Sequence, residues 1–173
     1  AVSQTPGYNA PGINPFISRR GYVEICAPPN PVGTMSGPQV CVGATVTYVT
    51  TCPAGGVWTS SNPSVATVSA TGDVTGNGPG STILSYVYTL PCGTSTAILT
   101  ITVNPVPAAI TGGNTVCMGD VLSLFDATAG GTWNSGTLAT GSISASGVFT
   151  PAAVGTSVIT YTSLLGCTTT TVV

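Results

Sequence analysis

The residues of this chain best suited to chemistry are its six cysteines: Cys26, Cys41, Cys52, Cys92, Cys117 and Cys167. In a small chain rich in strand-forming residues they point to disulfide bonds and an oxidising compartment. No C-x-x-C occurs and histidine is absent, so no zinc ligand set can be assembled. Lysine is absent too. Without His or Lys no serine or cysteine has a base to activate it, and an Asn–Lys cross-link is excluded. Asp120 and Asp126 flank one short apolar run, but acid–base catalysis needs two tuned groups in a cleft. Their placement suits a turn or a solvated role. The chain reads as non-enzymatic, with no catalytic, cofactor-binding or metal residues.

Cys41 to Cys92 is 51 positions and Cys117 to Cys167 is 50. The match favours bonds 41–92 and 117–167, each closing a ~50-residue loop worth ~4 kcal/mol in the chain-entropy account. Cys26 and Cys52 are left over, with two outcomes open: a bond in cis, or a bond from Cys26 to a neighbouring chain. Other connectivities stay open, since spacing alone does not decide among them.

The matched spacings arise from an internal repeat, which must be read before anything else. The stretch from Gly55-Gly56-Val57-Trp58 to Gly76 recurs downstream. Gly130-Gly131-Thr132-Trp133 matches its start and Gly141 to Thr150 its end. Thr (30) and Ser (17) abound, which favours strands. The 23 Gly and 14 Pro mark frequent turns. No window carries the i, i+3, i+4, i+7 apolar pattern of a helix. Strands are expected at 45–49, 57–58, 65–69, 74, 83–88 and 97–103, with Gly72 supplying positive φ in the hairpin turn 70–73. In the second repeat 121–124 matches the first of these and 158–161 the long one. About seven short strands with turns between them point to an all-β fold, two tandem β-sandwich domains. The boundaries are an arm at 1–32, domain 1 at 33–104 and domain 2 at 105–173.

The arm carries its own signal. Residues 22–41 align without a gap on residues 98–117, with Val23 on Leu99, Ile25 on Ile101, Gly37 on Gly113 and Cys41 on Cys117. Residues 98–103 close repeat 1 as its last strand, so residues 22–26 read as a last strand with no domain before it. Repeat 2 has only Thr168 to Val173 after its late cysteine, so its last strand is short or missing. The chain begins at Ala1 without an initiator Met or an apolar signal core, which reads as a processed or excised product.

The pattern G-G-x-W-x-S-S-N-P-x-V-A-T-V-S-x-x-G-x-V-T-G over residues 55–76, followed by an apolar-Tyr strand, resembles the bacterial immunoglobulin-like group 2 domains. The flanking Cys-x-Gly and the late Cys resemble the variant found in long surface adhesins of gliding bacteria. The resemblance spans about 140 residues and is weaker in repeat 2, where Asn62-Pro63 and the Val-Ala-Thr-Val run are replaced. It implies an Ig-like sandwich, an extracellular location and adhesive or spacer roles, with no shared catalytic residues. Trp58 and Trp133, each behind a Gly-Gly, are read as core residues rather than glycan platforms, as are Tyr86 and Tyr161.

Only 3% of residues are charged, which removes the repulsion that keeps most proteins apart. Arg19 and Arg20 are the only cations and cannot neutralise a phosphate track, so nucleic acid is excluded as a partner. No stretch is long enough to span a membrane. No N-x-S/T sequon has an allowed middle residue, while the Ser/Thr-rich surface leaves O-linked sugars open. The expected partner is the chain itself. The arm residues Phe16, Ile17, Arg19, Arg20, Tyr22, Val23 and Ile25 would dock on repeat 2 of another copy, at Asp120, Asp126, Val172 and Val173. The function this implies is a secreted, non-enzymatic filament subunit polymerising head to tail by strand donation. The alternatives are a fragment of a multi-repeat adhesin that binds a glycan or a cell surface, and an accessory module of an enzyme.

Overall fold

The computed structural model describes residues 16–17, 23–24, 34–52, 54–90 and 93–173, and every regular element among them is a strand. A short antiparallel hairpin comes first, β1 (Phe16–Ile17) with β2 (Val23–Glu24). Repeat 1 follows with β3 (Met35–Ser36), β4 (Val40–Cys41), β5 (Thr45–Thr47), β6 (Val49–Thr50), β7 (Val57–Ser60), β8 (Ala66–Val68), β9 (Asp73–Gly76), β10 (Gly80–Leu90) and β11 (Gly93–Asn104). Repeat 2 carries β12 (Leu122–Ser123), β13 (Thr132–Ser135), β14 (Gly141–Ile143), β15 (Val148–Pro151), β16 (Val158–Thr162) and β17 (Thr168–Val172).

In repeat 1 the sheet β4-β11-β10-β7 faces β5-β9-β8, with β3-β6 as a small annex. Alternation makes the faces. Along β10 Leu84, Tyr86 and Tyr88 are buried, and along β11 so are Ala97, Ile101 and Val103. Successive side chains of a strand point to opposite faces, so these residues line one side. They form one buried cluster with Val40, Trp58, Ala66 and Val74. Repeat 2 has the counterpart sheets β13-β16-β17 and β12-β15-β14 around a smaller cluster of Leu124, Phe149 and Ile159.

The Gly-Gly-x-Trp motif has a packing reason. Trp58 lies on Tyr86 at 5.1 Å between ring centroids, and Trp133 on Tyr161 at 4.8 Å, both tilted by 59°. Such tilted pairs suit the ring quadrupoles. The tyrosine hydroxyls accept from Gly56 N at 2.9 Å and Gly131 N at 2.8 Å. A Cβ on Gly56 or Gly131 would stand 2.5 or 2.4 Å from the tyrosine ring, so only glycine fits there. The hairpin turn before β9 closes as expected, with Gly72 at φ +89°.

The cysteine pairing differs from the expectation. Cys41 bonds to Cys167, with a Cα–Cα distance of 5.7 Å, while Cys52 and Cys117 are free thiols. Bonds 41–92 and 117–167 are therefore corrected to 41–167, and a bond 26–52 is ruled out by the free thiol of Cys52. The reason is strand length. Cys41 pairs with Asn104 at the tail of β11, whereas Leu90 and Gly93, which flank Cys92 in sequence, pair with each other at its head. Twelve residues of β11, at ~3.4 Å each, separate the two ends by about 37 Å, and a disulfide spans under ~7 Å between Cα atoms.

Candidate functional site

The two repeats differ at their tails. In repeat 1, β4 pairs in parallel with the end of β11, Val40 against Val103 and Cys41 against Asn104. Val40 is fully buried and Val103 is 1% exposed. Gly76 makes the room, since a Cβ there would lie 2.8 Å from Val103 Cγ1 and 2.6 Å from Cys41 O. In repeat 2 the counterparts of Val40-Cys41 are Val116-Cys117, and no strand among the described residues pairs with them. The ladder registers show why. Ile83 pairs with Thr100 and its counterpart Val158 with Val172, so Val173 takes the place of Ile101. The final rung is Ser157 N to Val173 O at 2.7 Å and Val173 N to Ser157 O at 3.0 Å. Among the described residues, none of repeat 2 fills the places that Thr102, Val103 and Asn104 fill in repeat 1.

A cavity of about 390 Å³ lies there, lined by Val116, Cys117, Phe149, Pro151, Ser157 and Val173 among others. Val116 is only half-buried and Cys117 is exposed. The rim is apolar and open to solvent: Met118, Val121, Val172 and Val154 are exposed, the last at 91%. A second cavity, lined by Asp120, Val121 and Leu122, shares Val116 and Cys117 with the first.

The same end of repeat 1 carries a joint instead. The loop 163–167 of repeat 2 is closed by Gly166 N to Ser163 O at 3.0 Å and Ser163 N to Cys167 O at 2.9 Å. It meets β4 and the end of β11 through the Cys41–Cys167 bond. Asn104 Nδ2 donates to Leu165 O at 3.4 Å, and Gly166 sits against Gln39, whose Oε1 would lie 3.2 Å from an added Cβ. One edge thus holds the head of the following repeat, and among the described residues the matching edge of repeat 2 has no such contact.

Residues 38–87 match the bacterial Ig-like domain (group 2). This Ig-like stretch runs from the joint, through the Gly-Gly-x-Trp motif, to Tyr86 in β10. No curated protein matches the chain. Among solved structures, the C-terminal 282-residue fragment of intimin, in complex with the intimin-binding domain of the translocated intimin receptor, is 18% identical, with a TM-score of 0.46 over 82% of this chain and 62% of that fragment. The S-layer protein rSbsC(31-844) is 17% identical, with a TM-score of 0.33 over 81% of this chain and 27% of that one. Domains 4 and 5 of SbsC are 19% identical, with a TM-score of 0.33 over 81% of this chain and 95% of theirs.

The expected site residues divide into groups. Val173 lines the groove, Val172 is exposed beside it, and Asp120 lies in the adjoining cavity. Asp126 is buried, which removes a solvated role. Its turn role stands, since its Oδ1 accepts from Thr128 N at 2.7 Å. Trp58, Tyr86 and Tyr161 are buried and Trp133 is half-buried, as core residues should be. Phe16, Ile17 and Val23 belong to the β1–β2 hairpin. Arg19, Arg20, Tyr22, Ile25, Cys26 and Cys92 lie outside the described residues. The described residues include no group of three or more possible metal ligands, and no helix long and apolar enough to cross a membrane. Sequence reasoning missed Val116, Met118 and Phe149 at the groove and Gln39, Asn104 and Leu165 at the joint. The alignment of Val40-Cys41 on Val116-Cys117 was the signal that points to both places.

Proposed function

We propose that this chain is a non-enzymatic structural subunit of an extracellular filament, assembled head to tail when the N-terminal arm of one copy enters repeat 2 of the next. The observation that carries this reading is the apolar groove lined by Val116, Phe149 and Val173, at the edge that corresponds to the one where β4 pairs with the end of β11 in repeat 1. A strand edge with apolar flanks is a template for an added strand. The sequence register supplies the donor. Residues 22–41 align on 98–117, so residues 26–28 fall on the three empty places, and Phe16, Ile17, Val23 and Ile25 are left for the apolar rim. The contact is heterologous, and such contacts propagate unless they close into a ring. The low charge supports association, and the disulfide supports an extracellular location.

Electron microscopy and size-exclusion chromatography of the full chain and of a chain lacking residues 1–26 test the proposal. Fibres from the first and none from the second support it. A full chain that stays monomeric at high concentration sinks it. The second reading, consecutive repeats of a longer surface adhesin, is favoured by the disulfide joining the repeats within one chain. In that case the groove is filled by further residues of the same polypeptide, and a monomer that binds a glycan array or a cell surface is the expected result.

A further inference from the structure

We infer that β17 (Thr168–Val172) pairs edge to edge with the β17 of a second copy of this chain, antiparallel and about a two-fold axis, so that two repeat 2 sheets join into one. This contact uses neither the groove nor the head-to-tail reading above. β17 is the outermost strand of the sheet β13-β16-β17, and among the described residues it is paired with β16 alone. Bonded pairs frame that ladder at both ends. Ser163 N donates to Cys167 O at 2.9 Å, and Ser157 and Val173 exchange bonds of 2.7 and 3.0 Å. Bonded and non-bonded pairs alternate along an antiparallel ladder. With Tyr161 opposite Thr169 and Ile159 opposite Thr171, the alternation turns the N–H and C=O of Thr169 and Thr171 toward β16. It turns those of Thr168, Thr170 and Val172 away, and among the described residues they have no backbone partner.

The same three residues are exposed. Natural proteins blunt such an edge with lysine, proline or a bulge, or cover it. β17 reads Thr-Thr-Thr-Thr-Val, all residues with strong strand preference, and its register on β16 runs without a bulge. In repeat 1 the matching edge is capped in part, since β4 lies on the end of β11 and Val42 N donates to Asn104 O at 3.0 Å.

The edge itself selects the partner. Setting Thr170 opposite Thr170 of the second copy sets Thr168 opposite Val172 in both directions. Every outward N–H then meets an outward C=O, and none is left over. A two-fold axis opposes its central residue to itself, so a charge there would meet a like charge. Threonine gives a favourable cross-strand pair instead. Neither β16 nor β17 contains a charged residue, and lysine is absent from the chain. Strand addition draws its specificity from side-chain pockets. Residues 168–171 line neither the groove nor the cavity beside it, so along them no pocket selects a foreign peptide. The contact is isologous and closes on itself, giving pairs rather than an endless sheet. Five residues a side make a small interface. Single copies therefore pair weakly, and pairs repeated along an assembly gain by avidity.

Residue-resolved amide hydrogen exchange of the full chain, dilute and concentrated, tests the contact without any substitution. The amides of Thr169, Thr171 and Val173 should be protected at both concentrations. Those of Thr168, Thr170 and Val172 should exchange fast in the dilute chain and become protected in the concentrated one. Thr170→Cys under mild oxidation should yield a peptide linked to itself, because opposed bonded residues stand ~5.5 Å apart between Cα atoms, within disulfide reach. In sedimentation velocity Thr170→Lys, at an exposed side chain, should weaken pairing about tenfold or more. Thr132→Lys, exposed on the far strand of the same sheet, should leave pairing unchanged. Three amides that exchange as fast in the concentrated chain as in the dilute one overturn the inference, and so does a Thr170→Cys peptide linked only to another segment. Fibres in which those amides still exchange fast overturn it and leave the filament reading standing. Two-fold pairs without fibres support it and sink that reading.

Discussion

Val40 and Val116 occupy one position in two copies of the same fold, and only their cover differs. Val40 is fully buried beneath Val103, while Val116 is half-buried beside an open groove. Truncation to alanine removes two methyl groups, about 0.8 kcal/mol each in transfer free energy. At Val40 it also leaves a cavity of roughly 40 Å³, which at ~24 cal/mol per Å³ adds about 1 kcal/mol. Val40→Ala should therefore cost about 2.5 kcal/mol. Val116→Ala in the dilute chain encloses no new cavity and loses a contact already half wet, so it should cost under about 1 kcal/mol. Urea unfolding followed by Trp58 and Trp133 fluorescence measures both. If a donated strand covers Val116, the substitution regains the missing ~1.5 kcal/mol of penalty in the filament, which is about a tenfold higher critical concentration for assembly. Equal costs in the dilute chain would mean that Val116 is already covered. An unchanged critical concentration for Val116→Ala would mean that no strand enters the groove. Either result refutes the reasoning.

Three further outcomes are expected. Replacing Cys41 and Cys167 together by Ser opens a loop of 126 positions, worth about 5 kcal/mol in the chain-entropy account; denaturation should split into two transitions, and an unchanged single transition would count against a joint that couples the repeats. Gly131→Ala should cost about 2–4 kcal/mol by urea unfolding, from overpacking and the hydrogen bond to Tyr161, because the new Cβ would meet Thr162 O at 2.4 Å, a backbone atom with nowhere to go. Asp73 is held below the ordinary aspartate range first by the hydrogen bond from Thr47 and then by that from Thr71; its stabilisation is present above that range and lost as pH falls through the lowered value, so Asp73→Asn should flatten the acid limb of a pH–stability profile.

The local pattern carried the fold. Period-two alternation in β10 and β11, the Gly-Gly-x-Trp motif and the turn at Gly72 each reflect contacts within a few residues or one strand away. Pairing by repeat register therefore located the long strands and the core aromatics. The same register misled on the disulfides for a physical reason. A bond from each repeat to the next has the same periodicity as a bond within each repeat, so matched spacings of 51 and 50 positions fit both. Only the three-dimensional structure separates them, because it places the early cysteine at the tail of the sandwich and the hairpin at the head. Burial also decided Asp126, whose single turn contact with Thr128 is legible in sequence but whose inclusion in the packed interior is not.

What the sequence determined by itself was the unit: a strand-built repeat, with its turns, its core and the stretch at residues 38–87 that matches a bacterial Ig-like domain. What only the tertiary structure decided was how units join. Joining depends on which ends of long strands come together, and strands of eleven and twelve residues carry the chain from one end of the repeat 1 sandwich to the other.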